Sequence, residues 1–74
     1  MEQETTPEQT LWQEVLLRAA RDATAPRPSR ERDQAQQWFQ EGGRDFRLVC
    51  SLAGLDPDGV RECYLSGRLD REAL

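Results

Sequence analysis

Residues 46–65 read Phe46-Arg47-Leu48-Val49-Cys50-Ser51-Leu52-Ala53-Gly54-Leu55-Asp56-Pro57-Asp58-Gly59-Val60-Arg61-Glu62-Cys63-Tyr64-Leu65. Phe46, Val49, Cys50 and Ala53 recur at the three- and four-residue spacing of one helix face, with Leu52 beside it. Gly54 suits the left-handed backbone that closes a helix. Asp56-Pro57 then opens another, with Asp as cap and Pro in the first turn. The spacing predicts a helix over 46–53, capped by Asp45. It predicts a second that turns Val60, Cys63 and Tyr64 inward and stops near Ser66-Gly67. Such a steep crossing in so few residues needs a small residue in the first helix, here Cys50, and a glycine in the turn, here Gly54. Val49, Ala53, Leu55, Val60 and Cys63 occupy the packing positions. Residues 46–66 therefore read as a helix-turn-helix-like unit.

Upstream, Gly42-Gly43 ends a helix over 30–41 whose narrow apolar face is Ala35, Trp38 and Phe39, with Ser29 as its cap. Ala25-Pro26-Arg27-Pro28-Ser29 forms a stiff link that no helix crosses. Before it, Thr6-Pro7-Glu8-Gln9 has the form of a capping box. The helix it opens, over 7–24, carries Leu11, Trp12, Val15, Leu16, Ala19 and Ala23 as one stripe. Residues 1–6 are polar and read as a loose N-terminus; 68–74 read as a charged tail that can add a last helical turn. No strand pattern exceeds three residues. The expectation is a single all-α domain over 1–74: a small bundle of four short helices, or five with that last turn, with a helix-turn-helix-like C-terminal half. Its core would comprise Trp12, Val15, Leu16, Trp38, Phe39, Phe46, Val49, Cys50, Ala53, Val60 and Cys63.

A chain of 74 residues has room for one thin core. All ten basic residues are Arg, and fourteen acids leave a net charge of −4. The Arg-only basic set fits a GC-rich genome. Acids and arginines are interleaved: only 25–44 is net positive, with four Arg against three acids. An acidic chain is poorly suited to nucleic acid or anionic membranes unless its basic charge is segregated. No apolar run approaches the ~20 residues that span a bilayer, and the acidic start lacks the form of a secretory signal. These features point to the cytoplasm, where Cys50 and Cys63 would be reduced.

With no His and no Lys, acid–base catalysis would fall on carboxylates that sit on polar faces and caps. Two cysteines without further ligands make no zinc site. Asp56-Pro57-Asp58-Gly59 has the front of a calcium loop but not its closing glutamate, and helix capping already accounts for both acids. The sequence is that of a non-enzymatic chain with no cofactor. Arg27, Arg30 and Arg32 form a modest basic patch by the prolines, most simply a solvated loop.

Function therefore turns on the second helix of the helix-turn-helix-like unit. In a DNA-binding protein its early residues would face base edges. Here they are Asp56, Pro57, Asp58, Gly59, Arg61 and Glu62, and Arg61 alone can make a two-pronged contact with guanine. Asp56, Asp58 and Glu62, with Asp70 and Glu72 behind them, instead offer negative charge to a basic groove on a partner protein.

The segment from Asp45 to Arg61, with Asp45-Phe46, Val49-Cys50, Ala53-Gly54-Leu55-Asp56-Pro57 and Val60-Arg61, resembles a segment of small prophage-associated helical proteins of unassigned function. Trp38-Phe39 just upstream is similar to theirs. The resemblance covers residues 38–61 and implies a phage or mobile-element origin and a compact helical fold, but no activity. Two readings follow. The first is an acidic protein-binding module, anti-CRISPR-like or otherwise anti-defence, that occludes a basic nucleic-acid-binding surface. The second is a dimeric helix-turn-helix DNA-binding regulator contacting DNA through Arg47, Arg61 and Arg68. A homodimer is open under either reading.

Overall fold

A computed structural model describes residues 5–69 as four helices: α1 Pro7–Ala23, α2 Arg30–Glu41, α3 Arg44–Leu52 and α4 Pro57–Leu65. Among the described residues there is no strand. The loose N-terminus expected for 1–6 lies mostly outside them, as do the last helical turn of the tail, Asp70 and Glu72.

Local chemistry sets the ends. At α1, Thr6 Oγ1 accepts from the Gln9 amide at 3.1 Å and Gln9 Oε1 accepts from the Thr6 amide at 3.1 Å, a reciprocal box with Pro7 in the first turn. Ser29 Oγ caps α2 at 3.0 Å from the Arg32 amide, and Asp56 Oδ2 caps α4 at 3.1 Å from the Gly59 amide. Gly42 closes α2 at φ 56, with its amide donating to the Trp38 carbonyl. Gly54, at φ 75, closes α3. The Gly54 amide donates to the Ser51 carbonyl and the Leu55 amide to the Cys50 carbonyl, a paired closure that turns the chain into α4.

Asp45 is not the cap of α3. The left-handed Gly42 turns the chain so sharply that Gly43 takes the cap position without a side-chain bond, and the helix begins at Arg44. Asp45 falls within the first turn, where its Oδ2 accepts from Trp38 Nε1 at 2.9 Å.

α1 packs on α2 and α3, and α4 packs on the same two helices. Between them lie Leu16, Phe39, Phe46 and Cys50, all fully buried, with Ala20, Ala23, Val49, Ala53 and Val60 around them. Phe39 and Phe46 form the centre, with Trp38 and Tyr64 half-buried against them. Phe39 meets Phe46 edge to face at 5.7 Å and Trp38 at 5.2 Å, and stacks on Tyr64 with centroids 4.3 Å apart. Trp38 also meets Phe46 edge to face at 5.1 Å. Such pairs add about 0.5–1.5 kcal/mol each beyond area burial.

The expected core needs correction at the first helix. Val15 is 38% exposed and Leu11 60%. Among the described residues α1 packs mainly on α2 and α3, so its inward row is Leu16, Ala20 and Ala23, and residues one step of ~100° away fall at the rim. Trp12, Trp38 and Cys63 are half-buried rather than central.

Among the described residues, three helix ends are closed from elsewhere in the fold. Gln36 Nε2 donates to the carbonyl of Ala23 at the end of α1 (2.9 Å), and Gln13 Nε2 to that of Ala53 at the end of α3 (3.2 Å). Arg61 closes α2 by donating to the Gln40 carbonyl from Nε at 3.1 Å and from Nη2 at 2.7 Å. The last carbonyls of a helix have no partner within it, and a donor brought by another helix satisfies one while fixing the pair's relative position.

Candidate functional site: the outward face of α4

Packing consumes the inner side of α4: Val60 is buried, and Cys63 and Tyr64 are half-buried. Exposed on α4 are Asp58, Arg61, Glu62 and Leu65; of these Asp58, Glu62 and Leu65, at spacings of four and three, make one ridge, with Asp56 at its head. Leu65 is 57% exposed. The three acids expected on this face that fall within the described residues are all exposed. Asp56 differs from the other two because one of its oxygens is engaged in capping.

The arginines behave differently. Arg61 is exposed, yet its guanidinium is turned back onto the Gln40 carbonyl. The negative end of the α2 dipole adds to the attraction. Arg47 is exposed on α3 and Arg68 follows the end of α4. Sequence spacing placed Arg61 on the reading face of α4, and only the approach of α2 shows what occupies it.

Arg61→Met should therefore cost about 1 kcal/mol, below the ~1.5–3 kcal/mol usual for a bond to a charged group because this one is exposed to solvent. Arg61→Lys should recover only part of that, because a compact ammonium lacks the planar fork that grips one oxygen from two nitrogens. Urea denaturation of the two variants beside the parent checks both.

The cysteines are free, Cys50 buried and Cys63 half-buried. Burial first, and the Asp56 carboxylate second, push the Cys50 thiol up to about 11 from its ordinary 9.0. A raised thiol pKa makes its contribution to stability complete below pH 9 and progressively lost as pH climbs towards 11. Ellman's reagent at pH 8 should accordingly label Cys63 in the folded protein and reach Cys50 only after denaturant is added. Rapid labelling of both without denaturant would contradict the burial of Cys50.

No group of three or more His, Cys, Asp or Glu able to hold a metal ion occurs among the described residues. Nor is any described helix long and apolar enough to cross a membrane.

The fold and this face define a small four-helix protein whose helix after the α3–α4 turn is edged by carboxylates. Comparison with protein-family models, with curated proteins and with solved structures finds no match to the chain.

Proposed function

We propose that this chain is a non-enzymatic protein-binding module of phage or mobile-element type that lays the acidic face of α4 on a basic, nucleic-acid-handling surface of a partner protein. An anti-CRISPR-like or other anti-defence inhibitor is the concrete form, acting in the cytoplasm by occupying the surface that would hold nucleic acid. One observation carries the reading. Asp58 and Glu62 stand exposed on the outer ridge of α4, while the adjacent cation, Arg61, is committed to the end of α2. Carboxylates on that ridge repel phosphate and complement arginine- or lysine-lined grooves. The resemblance of residues 38–61 to small prophage proteins supports the setting.

The test uses Asp58→Arg/Glu62→Arg and leaves Asp56 in place, since that residue caps α4. The parent, immobilised, is offered lysate from a candidate host, and each captured protein is assayed for loss of its nucleic-acid binding when the chain is added. Capture and competition should both disappear with the double variant and weaken as salt rises. Undiminished competition by the double variant would remove α4 from the interface.

A second reading, a dimeric helix-turn-helix regulator, has one observation in its favour: the left-handed Gly54 and the hydrogen bonds donated by the Gly54 and Leu55 amides at the end of α3 give the turn such a unit needs. A mobility-shift titration against fragmented source DNA separates the two. Tight duplex binding with a steep salt slope, weakened by Arg47→Ala or Arg68→Ala, would favour this regulator over the acidic module.

A further inference from the structure

α1 carries more apolar surface than the core uses. Its inward row is Leu16, Ala20 and Ala23. A second row, Leu11, Val15 and Ala19, runs beside it at four-residue spacing, with Leu11 and Val15 exposed. Across from this row α2 presents Ala35 and Trp38. Together Val15, Ala19, Ala35 and Trp38 floor an open groove of about 390 Å³ between the two helices.

The two charged residues that line that groove are both acidic, while Arg18 and Arg21 stand beside Asp22 around the adjoining hollow of α1. Asp22 stands on the α1 side and Glu31 on the α2 side, both exposed, and no arginine lines the groove. Among the described residues neither carboxylate takes part in an ion pair. The indole of Trp38 donates to Asp45 Oδ2 at 2.9 Å and packs edge to face on Phe39 and Phe46, which orients the ring at the floor.

We propose that the α1–α2 groove receives an amphipathic helix of a partner protein, with small or branched apolar residues on its buried face and Lys or Arg along both edges. Two helices lying side by side present the trough into which a third packs in helical bundles. An apolar face would cover Val15, Ala19, Ala35 and Trp38, while cations on its two edges would meet Asp22 and Glu31. A second copy of this chain fits less well, because an isologous groove-to-groove contact sets the acidic rim against itself. The groove is distinct from the α4 ridge, and the inference does not depend on the function proposed for that ridge.

The probe is a synthetic helical peptide of about 16 residues, long enough to hold helix in water. It carries Leu and Ala on one face and Lys on the two edges, and is compared with the same peptide edged by Glu. Each is titrated into the isotopically labelled full chain and followed by amide and indole NMR shifts. The Lys-edged peptide should bind about tenfold more tightly than its Glu-edged counterpart. Its shifts should centre on Val15, Ala19, Ala35 and the Trp38 indole. Val15→Asp should abolish the effect with helicity retained, Asp22→Arg/Glu31→Arg should invert the preference, and Asp58→Arg/Glu62→Arg should leave it unchanged. Equal binding of both peptides, or no binding of either, overturns the proposal. So do shifts that centre on α4 and vanish with Asp58→Arg/Glu62→Arg, which would mean a basic peptide simply seeks the acidic ridge. Groove shifts that appear on raising the protein concentration alone, with a dimer in sedimentation, would assign the groove to a second copy instead.

Discussion

Phe39→Ala should leave the chain without a cooperative fold at room temperature. The ring is fully buried and touches three of the other four aromatic residues, meeting Trp38 and Phe46 edge to face and stacking on Tyr64. Those contacts tie α2 to α3 through Phe46 and to α4 through Tyr64. Truncating a buried phenylalanine costs about 3–5 kcal/mol, through lost transfer free energy and the cavity left behind. A single core in a domain this short rarely supplies more than about 3–5 kcal/mol in total, so the loss is comparable to everything available. Far-UV circular dichroism should show low helicity for Phe39→Ala and no sigmoidal transition in urea. Phe39→Leu keeps most of the volume and should remain folded with a lower midpoint. A Phe39→Ala protein that melts cooperatively near the parent's midpoint would mean that the helices associate through other contacts than this ring.

Gly54→Val should be the next most damaging single change. Gly54 has φ 75, where a β-branched residue is strained. A Cβ there would also lie 2.6 Å from Gln9 Nε2, closer than atoms approach, so the glutamine must move. That side chain is half of the capping box at the start of α1. Strained backbone of this kind costs about 1–3 kcal/mol, and disturbing the cap adds up to about 1 kcal/mol. A double-mutant cycle separates the contributions. Gln9→Ala removes the obstacle but not the backbone strain, so in that background Gly54→Val should cost less than in the parent and still cost more than 1 kcal/mol. Equal costs in both backgrounds would show that the closeness of Gln9 to the turn has no energetic consequence.

Much of the secondary structure was legible in the chain because the signals are local. Thr6 with Gln9, Ser29, the two glycines at 42 and 43, Gly54, Asp56 with Pro57, and Ser66-Gly67 each act on backbone groups within a few residues. The helices begin and end at or within about two residues of these marks. α3 departs from the expectation because two adjacent local signals competed. Gly42 ended α2 and Gly43 took the cap of the next helix, so Asp45, a residue well suited to capping, was already inside the first turn.

The face of α4 was legible in part. Spacing alone identified Val60 and Cys63 as inward and Asp58 and Glu62 as outward. It could not reveal that Arg61 is spoken for, because its acceptor is twenty-one residues away in α2 and belongs to a backbone carbonyl that carries no sequence signature. Gln13 and Gln36 were invisible for the same reason: polar residues on a helix give no hint of which open carbonyl will come within reach. The surplus apolar row of α1 was present in the pattern, but Leu11, Val15 and Leu16 were indistinguishable there, since each is apolar and helically spaced.

The amino-acid order by itself determined where this chain is helical, where it turns, and that its charge is negative and carried against arginines alone. Those properties follow from caps, prolines, glycines and periodicity, which operate over a turn or two of helix. Only the tertiary structure decided which apolar row of α1 is buried, which helix ends are closed by Gln13, Gln36 and Arg61, and which cation on α4 is withdrawn from its surface. Those outcomes depend on which neighbours arrive and where they pack: among the described residues α2 and α3 pack on α1 and leave its Leu11–Val15 row exposed.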